Sequence, residues 1–217
     1  MSVLTSGVRS AAEAAVRDRS NASLIAVLRR VLDDPIARRM AAARSHRHQL
    51  GFEKYVLDVD RKGRSLRLHS WDAAASEVRE DVHSHCAGFT SRIVTGSFVE
   101  RQFVVEAGDE LSVFRYQAGV DGRQAATHTG SCRLRQIGDS TVRRPGDIYT
   151  RRANDLHHVY DAEPGTLSIS VWEPRLANAL VMKDRNATAS DCLAPAGMRE
   201  TELSERLISI EQRLTEL

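Results

Sequence analysis

The sequence predicts a mainly β protein, a barrel or sandwich with helical segments before and after it, and three observations carry that prediction. From residue 51 to about 174, short runs of alternating apolar and polar residues recur between glycine-bearing turns. Ahead of them lies a stretch rich in alanine, leucine and arginine with no glycine between Ser10 and Gln49. At the other end Leu203, Leu207, Ile210, Leu214 and Leu217 recur at helical spacing.

The N-terminal stretch reads as helical from about Val8 to Arg44, with Leu24, Val27, Leu28, Val31 and Leu32 on one face. Ser20 or Asn21 can cap its second helix, Asp33-Asp34-Pro35 breaks it, and a third helix is expected over Ala37 to Ala43. Strands follow over Phe52 to Val59 and Ser65 to Trp71, joined by a turn at Asp60-Arg61-Lys62-Gly63. Further strands are predicted at 89–94, 97–105, 111–116, 131–136, 147–151, 156–160 and 166–172, with turns at Gly96, Gly108, Gly119, Gly122, Gly130, Gly138 and Gly165. Residues 175–198 read as a loosely structured excursion. The last helix, from about Glu200, carries an a/d stripe barely two heptads long, which serves either packing on its own barrel or a homodimer. The chain thus divides into an N-terminal helical segment (1–50), a barrel (51–175) and a C-terminal loop and helix (176–217).

A chain of 217 residues is long enough for one well-buried core plus appendages. Its formal net charge is only +2 and its arginines are scattered, so neither nucleic acid nor an acidic tail is implied. Cys86, Cys132 and Cys192 are odd in number and far apart, which fits reduced thiols in a cytoplasmic protein and not a disulfide framework. No window approaches the roughly 18 apolar residues of a membrane span, and no apolar signal segment is expected.

Histidines carry the chemical signal. In a strand, side chains at i and i+2 share a face, so His83 and His85 can offer two imidazoles to one point. Asn154-Asp155-Leu156-His157-His158 offers a third from a distant strand, as either His157 or His158. Three nitrogens on a divalent cation leave positions open, as a catalytic metal requires, and imidazole suits iron, zinc, copper and nickel alike. His46 and His48 read as solvated residues after a helix, His128 as a loop histidine, and Cys86 as a small buried residue.

The order of elements and these residues resemble the cupin superfamily, and within it the cysteine dioxygenase-like branch of three-histidine non-haem iron enzymes. The resemblance covers roughly residues 20 to 174. His83-Ser84-His85 stands for the first cupin motif, without the glutamate that usually follows. Pro145-Gly146-Asp147 through Leu156-His157-His158-Val159 is similar to the second motif and selects His157 as the third ligand. Leu167 to Pro174 looks like the closing strand. Lys54 falls where the family carries the arginine that holds a substrate carboxylate, and Ser170 and Trp172 stand in place of the family's relay histidine and tyrosine.

The resemblance therefore implies a double-stranded β-helix (jelly-roll) barrel with an N-terminal helical cap and a C-terminal helix. Its metal would be Fe(II), with Zn, Ni or Mn as alternatives, held by His83, His85 and His157. The implied activity is an oxygenase taking dioxygen and a small polar, anionic, thiol or amino-acid-like metabolite. His69 is the candidate proton-transfer residue, and Lys54, Trp71, Phe89, Ser170 and Trp172 are the candidate substrate contacts. The alternatives are a non-redox isomerase or lyase using the same metal site, and a ligand-binding cupin without turnover.

Overall fold

The chain is wound as one long antiparallel hairpin folded back on itself, and a computed structural model describes it over residues 13–18, 20–48, 51–72, 81–118, 124–176, 178–192 and 197–216. Its strands are β1 (His46–Arg47), β2 (Glu53–Val59), β3 (Ser65–Trp71), β4 (Val82–His83), β5 (Phe89–Thr95), β6 (Phe98–Ala118), β7 (Gln124–Arg143), β8 (Ile148–Arg151), β9 (Leu156–Tyr160), β10 (Thr166–Trp172) and β11 (Leu180–Asp184). Strand β3 pairs with β10, β4 with β9, β5 with β8 and β6 with β7, all antiparallel, so each strand of the first half lies beside its counterpart in the second. That nested pairing defines the double-stranded β-helix. Two sheets result, β1-β2-β3-β10-β5-β8 and β11-β4-β9-β6-β7, with β11 also bonded to β6.

Three labelled helices accompany the barrel: α1 (Ala22–Asp33), α2 (Pro35–Arg44) and α3 (Glu200–Thr215). Helix α1 starts after Asn21, which makes no side-chain cap bond; Asp18 instead accepts from Ser20 and Ser23 just before it. Helix α2 begins two residues earlier than the sequence predicts. The Asp34 carboxylate accepts from the backbone N–H of Ile36 and Ala37, and Pro35 fills a first-turn position where a missing N–H costs nothing. Residues 1–12 and Leu217 lie outside the described residues, so the predicted start at Val8 and the end of the C-terminal stripe do too.

The helices cover one face of the six-stranded sheet. Leu24 and Leu28 of α1, Ala41 and Ala42 of α2, and Leu203, Leu207, Ile210 and Leu214 of α3 share a core with Tyr55, Leu57, Leu66, Leu68, Leu167 and Ile169. The a/d stripe of α3 is thus spent inside its own chain. Because β-strand side chains alternate, the residues between these, Lys54, Arg67, His69, Ser168 and Ser170, face the barrel interior.

Other predicted strands are extended or replaced. The 97–105 and 111–116 runs are one strand, β6, which keeps pairing with β7 across an irregularity between Glu106 and Leu111, a β-bulge that carries the extra residues. The 131–136 run is the middle of β7, and His128 sits in that strand against Phe114 rather than in a loop. The 175–198 excursion contains β11 and a short 3-10 turn at Ala189–Cys192; Leu180, Val181 and Met182 are held by β4 and β6, partners that local pattern does not reveal.

The β5–β6 turn sets the spacing of the barrel at one point. Gly96 has φ of +66°, and a Cβ there would lie 2.3 Å from Thr166 Oγ1 and 2.7 Å from Thr166 Cα. Thr166 is fully buried and bonds the carbonyls of Ser97 and Glu163, so it has no room to move. Gly96→Ala is expected to destabilise the protein by about 2 kcal/mol or more, combining backbone strain with the clash, as read from a shifted denaturant midpoint.

Candidate metal centre

His83, His85 and His157 come together with one ring nitrogen of each within 4.8 Å of the others. His83 and His157 are direct cross-strand partners on β4 and β9, their ring centroids 4.7 Å apart. The strand ends at His83, so His85 does not arrive by strand alternation as the sequence reading assumed. Its backbone N–H instead bonds the Ala153 carbonyl at 2.9 Å, and that contact turns its ring back towards the others. His85 Nε2 and His157 Nε2 stand 2.8 Å apart. Two nitrogens each about 2.1 Å from one cation would be separated by about 3 Å at right angles, so the pair suits a shared ion. His158, the alternative ligand, lies on the opposite side of β9, stacked on Tyr160 at 5.2 Å.

The backs of two ligand rings are anchored. His83 Nδ1 lies 2.9 Å from the Asp81 carbonyl and His157 Nδ1 lies 2.8 Å from Glu100 Oε1, arrangements that leave each Nε2 free to face a metal. Burial, and for His83 the neighbouring His157 ring, pushes the His83 imidazole down to about 3; burial and the His83 ring hold His85 far below its ordinary value. Neutral imidazole is the ligating form.

Glu100 is the buried residue behind this cluster that the sequence reading missed. It is 2% exposed on β6; its Oε1 lies 2.8 Å from both His157 Nδ1 and Arg151 Nε, and its Oε2 accepts from Arg143 Nη2 at 2.9 Å. Burial alone would raise its carboxyl, but hydrogen bonds from His157 and Arg151 outweigh that and bring it down to about 2. The available signal was parity: Glu100 shares the inward phase of β6 with the buried Phe98.

On the other side of the cluster the wall is aromatic and basic. Phe89 and Trp172 stack at 4.4 Å, and both meet the His85 ring edge-on at 4.9 and 5.0 Å. Ser170 Oγ accepts the Trp172 indole N–H at 2.8 Å, so this serine fixes the wall. Trp71 packs with Phe52 and Phe98, one layer further from the histidines. His69 Nε2 is buried with no hydrogen-bond partner, and its ring touches Phe52, Trp71 and Trp172. Lys54 is brought down to about 7 by burial and by Arg67. His46 and His48 are not solvated: His46 is 8% exposed and pushed down to about 4 by burial and Lys54, and His48 stacks on Phe52 at 4.7 Å. Cys86 is half-buried beside Arg67 and Lys54, more open than the small buried residue expected. Among the described residues no helix is long and apolar enough to cross a membrane.

No protein-family model and no curated protein matches the chain. Solved structures similar to it include a DMSP lyase (12% identity, 56% of this chain and 47% of that chain, TM-score 0.32). A hydroquinone 1,2-dioxygenase from Sphingomonas sp. TTNP3 is similar at 11% identity over 56% of this chain and 65% of that one, TM-score 0.31. An RmlC-like cupin from Shewanella frigidimarina is similar at 16% identity over 61% and 84%, TM-score 0.28. The chain spans about half the length of the lyase it matches. These are distant likenesses of the β scaffold, and the chemistry of the site is read from its own residues.

Two outcomes are expected from these contacts. Glu100→Gln leaves two buried guanidinium groups without their carboxylate and should lower stability by about 3–5 kcal/mol in a denaturant titration. Five histidines, 46, 48, 69, 83 and 85, are held below their ordinary pKa by burial. The unfolded chain therefore takes up protons from about pH 6.5 downward while the native chain does not. Thermal midpoints of metal-free protein should accordingly fall steadily below pH 6.5, with several protons bound on unfolding near pH 5.

Proposed function

We propose that this protein is an Fe(II)-dependent oxygenase of the cysteine dioxygenase-like kind, acting on a small, polar, anionic metabolite, thiol or amino-acid-like. The convergence of three imidazoles from β4, its following loop and β9 is the observation that carries the reading. A three-nitrogen face occupies one side of an ion and leaves the other for substrate and dioxygen. The ion in this reading supplies redox chemistry and vacant coordination positions.

The chain's own residues supply the rest. Lys54 holds the negative end of the substrate, by charge and three rotatable donors, without the bidentate fork of an arginine. Phe89 and Trp172 exclude water beside His85, and Trp71 closes the cavity beyond them. His69, neutral and unpartnered at Nε2, accepts or returns the proton of the substrate's reacting group. A dioxygenase places both atoms of O2 in its product, so no external reductant enters the balance.

Metal content and turnover test this directly. Protein purified without added metal, then reconstituted with Fe(II), should consume oxygen with a thiol or amino-acid-like acid. His157→Ala should lower metal affinity by more than about 100-fold, beyond the loss typical of an outer contact. Full zinc occupancy with no oxygen uptake would replace this reading by the isomerase or lyase alternative. A metal-free protein that still binds a metabolite would replace it by the ligand-binding one.

A further inference from the structure

Across four neighbouring strands one row of inward residues runs His46 (β1), Lys54 (β2), His69 (β3) and Ser168 (β10), each the direct cross-strand partner of the next. Arg67, two residues from His69 on the same face, is cross-strand partner to Ser170. Its guanidinium lies 3.9 Å over the Trp172 ring, and its Nε is spent on Ser65 Oγ at 2.9 Å. The two remaining guanidinium nitrogens and the Lys54 ammonium have no carboxylate: none of the ion pairs among the described residues includes either cation. His46 Nε2 and His69 Nε2 are buried and likewise unpaired. The nearby Glu100 is committed to Arg143, Arg151 and His157.

Two like charges, with the Cys86 thiol and a donor-capable imidazole beside them but no carboxylate paired with either among the described residues, are costly unless a ligand completes them. A single carboxylate would leave one cation uncompensated. A tetrahedral head carrying two negative charges cancels both and presents three oxygens to lysine, arginine and imidazole donors at once.

We propose that His46, Lys54 and Arg67 form an oxyanion subsite beside the three-histidine cluster, and that the substrate bears a dianionic phosphonate or phosphate-monoester head. This deepens the proposed function by naming the anion, and it rests on that reading only in placing the reacting group at the histidines. Trp172 touches both halves, with Arg67 over its ring and His85 edge-on to it. The head and the reacting atom of the substrate are therefore joined, in this reading, by a short linker.

The test is calorimetric titration of metal-stripped full-length protein with methylphosphonate, methyl phosphate and acetate. Both phosphorus probes should bind saturably and at least ten-fold more tightly than acetate; if only one does, the head is that one. Lys54→Met and Arg67→Met should each weaken phosphorus-probe binding at least ten-fold, and Arg67→Lys should recover part of the loss. The ligand-free Lys54→Met protein should melt no lower than wild type, because a buried uncompensated charge has been removed. His157→Ala should leave probe binding within about two-fold while abolishing metal uptake, so failure of the subsite and failure of the metal reading are told apart. Acetate bound as tightly as the phosphorus probes, or probe affinity unchanged in Arg67→Met, would overturn the proposal.

Discussion

The Glu100 carboxylate is the point on which both barrel and site depend. It stands on β6 and gathers Arg143 from the end of β7, Arg151 from β8 and His157 from β9. Of these, β8 belongs to the six-stranded sheet and the others to the five-stranded one, so a single buried side chain ties the two sheets together. Buried ion pairs are not in general more stabilising than well-packed apolar residues, but removing one partner leaves a charge with nowhere to go. The pairing therefore does more to select this strand arrangement than to add stability. It also fixes the face that His157 turns to the other two imidazoles, since the ring is bonded from behind at Nδ1.

The barrel interior is divided by charge. On one side Glu100 sets its single charge between two arginines and leaves no acceptor over. On the other, Lys54 and Arg67 stand with histidines, hydroxyls and the Cys86 thiol, and neither is in an ion pair among the described residues. The three-histidine cluster sits between these walls, and its imidazoles add no negative charge of their own. A chain that selected only for stability would have paired the two cations with an acid or replaced them by apolar residues. Keeping them unpaired fits a site whose final charge balance includes a ligand.

How much of this was legible in the sequence depends on whether the signal was local. The histidine pair, the α3 stripe and most barrel strands announce themselves through spacing within a few residues, whereas the choice of His157 over His158 comes from the family resemblance. What escaped was set by partners distant in sequence. Strand β11 owes its form to β4 and β6, and β7 runs far past its apolar middle because β6 continues beside it. His46 and His48 follow a helix, where a solvated role is the ordinary expectation; the pairing of His46 with Lys54 brings them inside. Glu100 and Arg67 are charged residues in strands, and composition assigns such residues to the solvent face. Only the inward parity they share with Phe98 and His69 marks them as interior, and parity becomes decisive once the register is known.

Trp172 joins these separate features into one geometry. Its indole carries Arg67 on one face, packs against Phe89 at an interplanar angle of 22°, meets His85 edge-on and donates its N–H to Ser170. Four partners hold it, so the indole has little freedom to tilt. A guanidinium stacked on such a surface loses less freedom when it grips an anion than one on a solvated stem. The same surface backs a member of the histidine cluster, so moving the indole would disturb anion and metal positions together. In the proposed reading, the placement of a substrate's charged head relative to its reacting atom would follow from the packing of this one aromatic side chain.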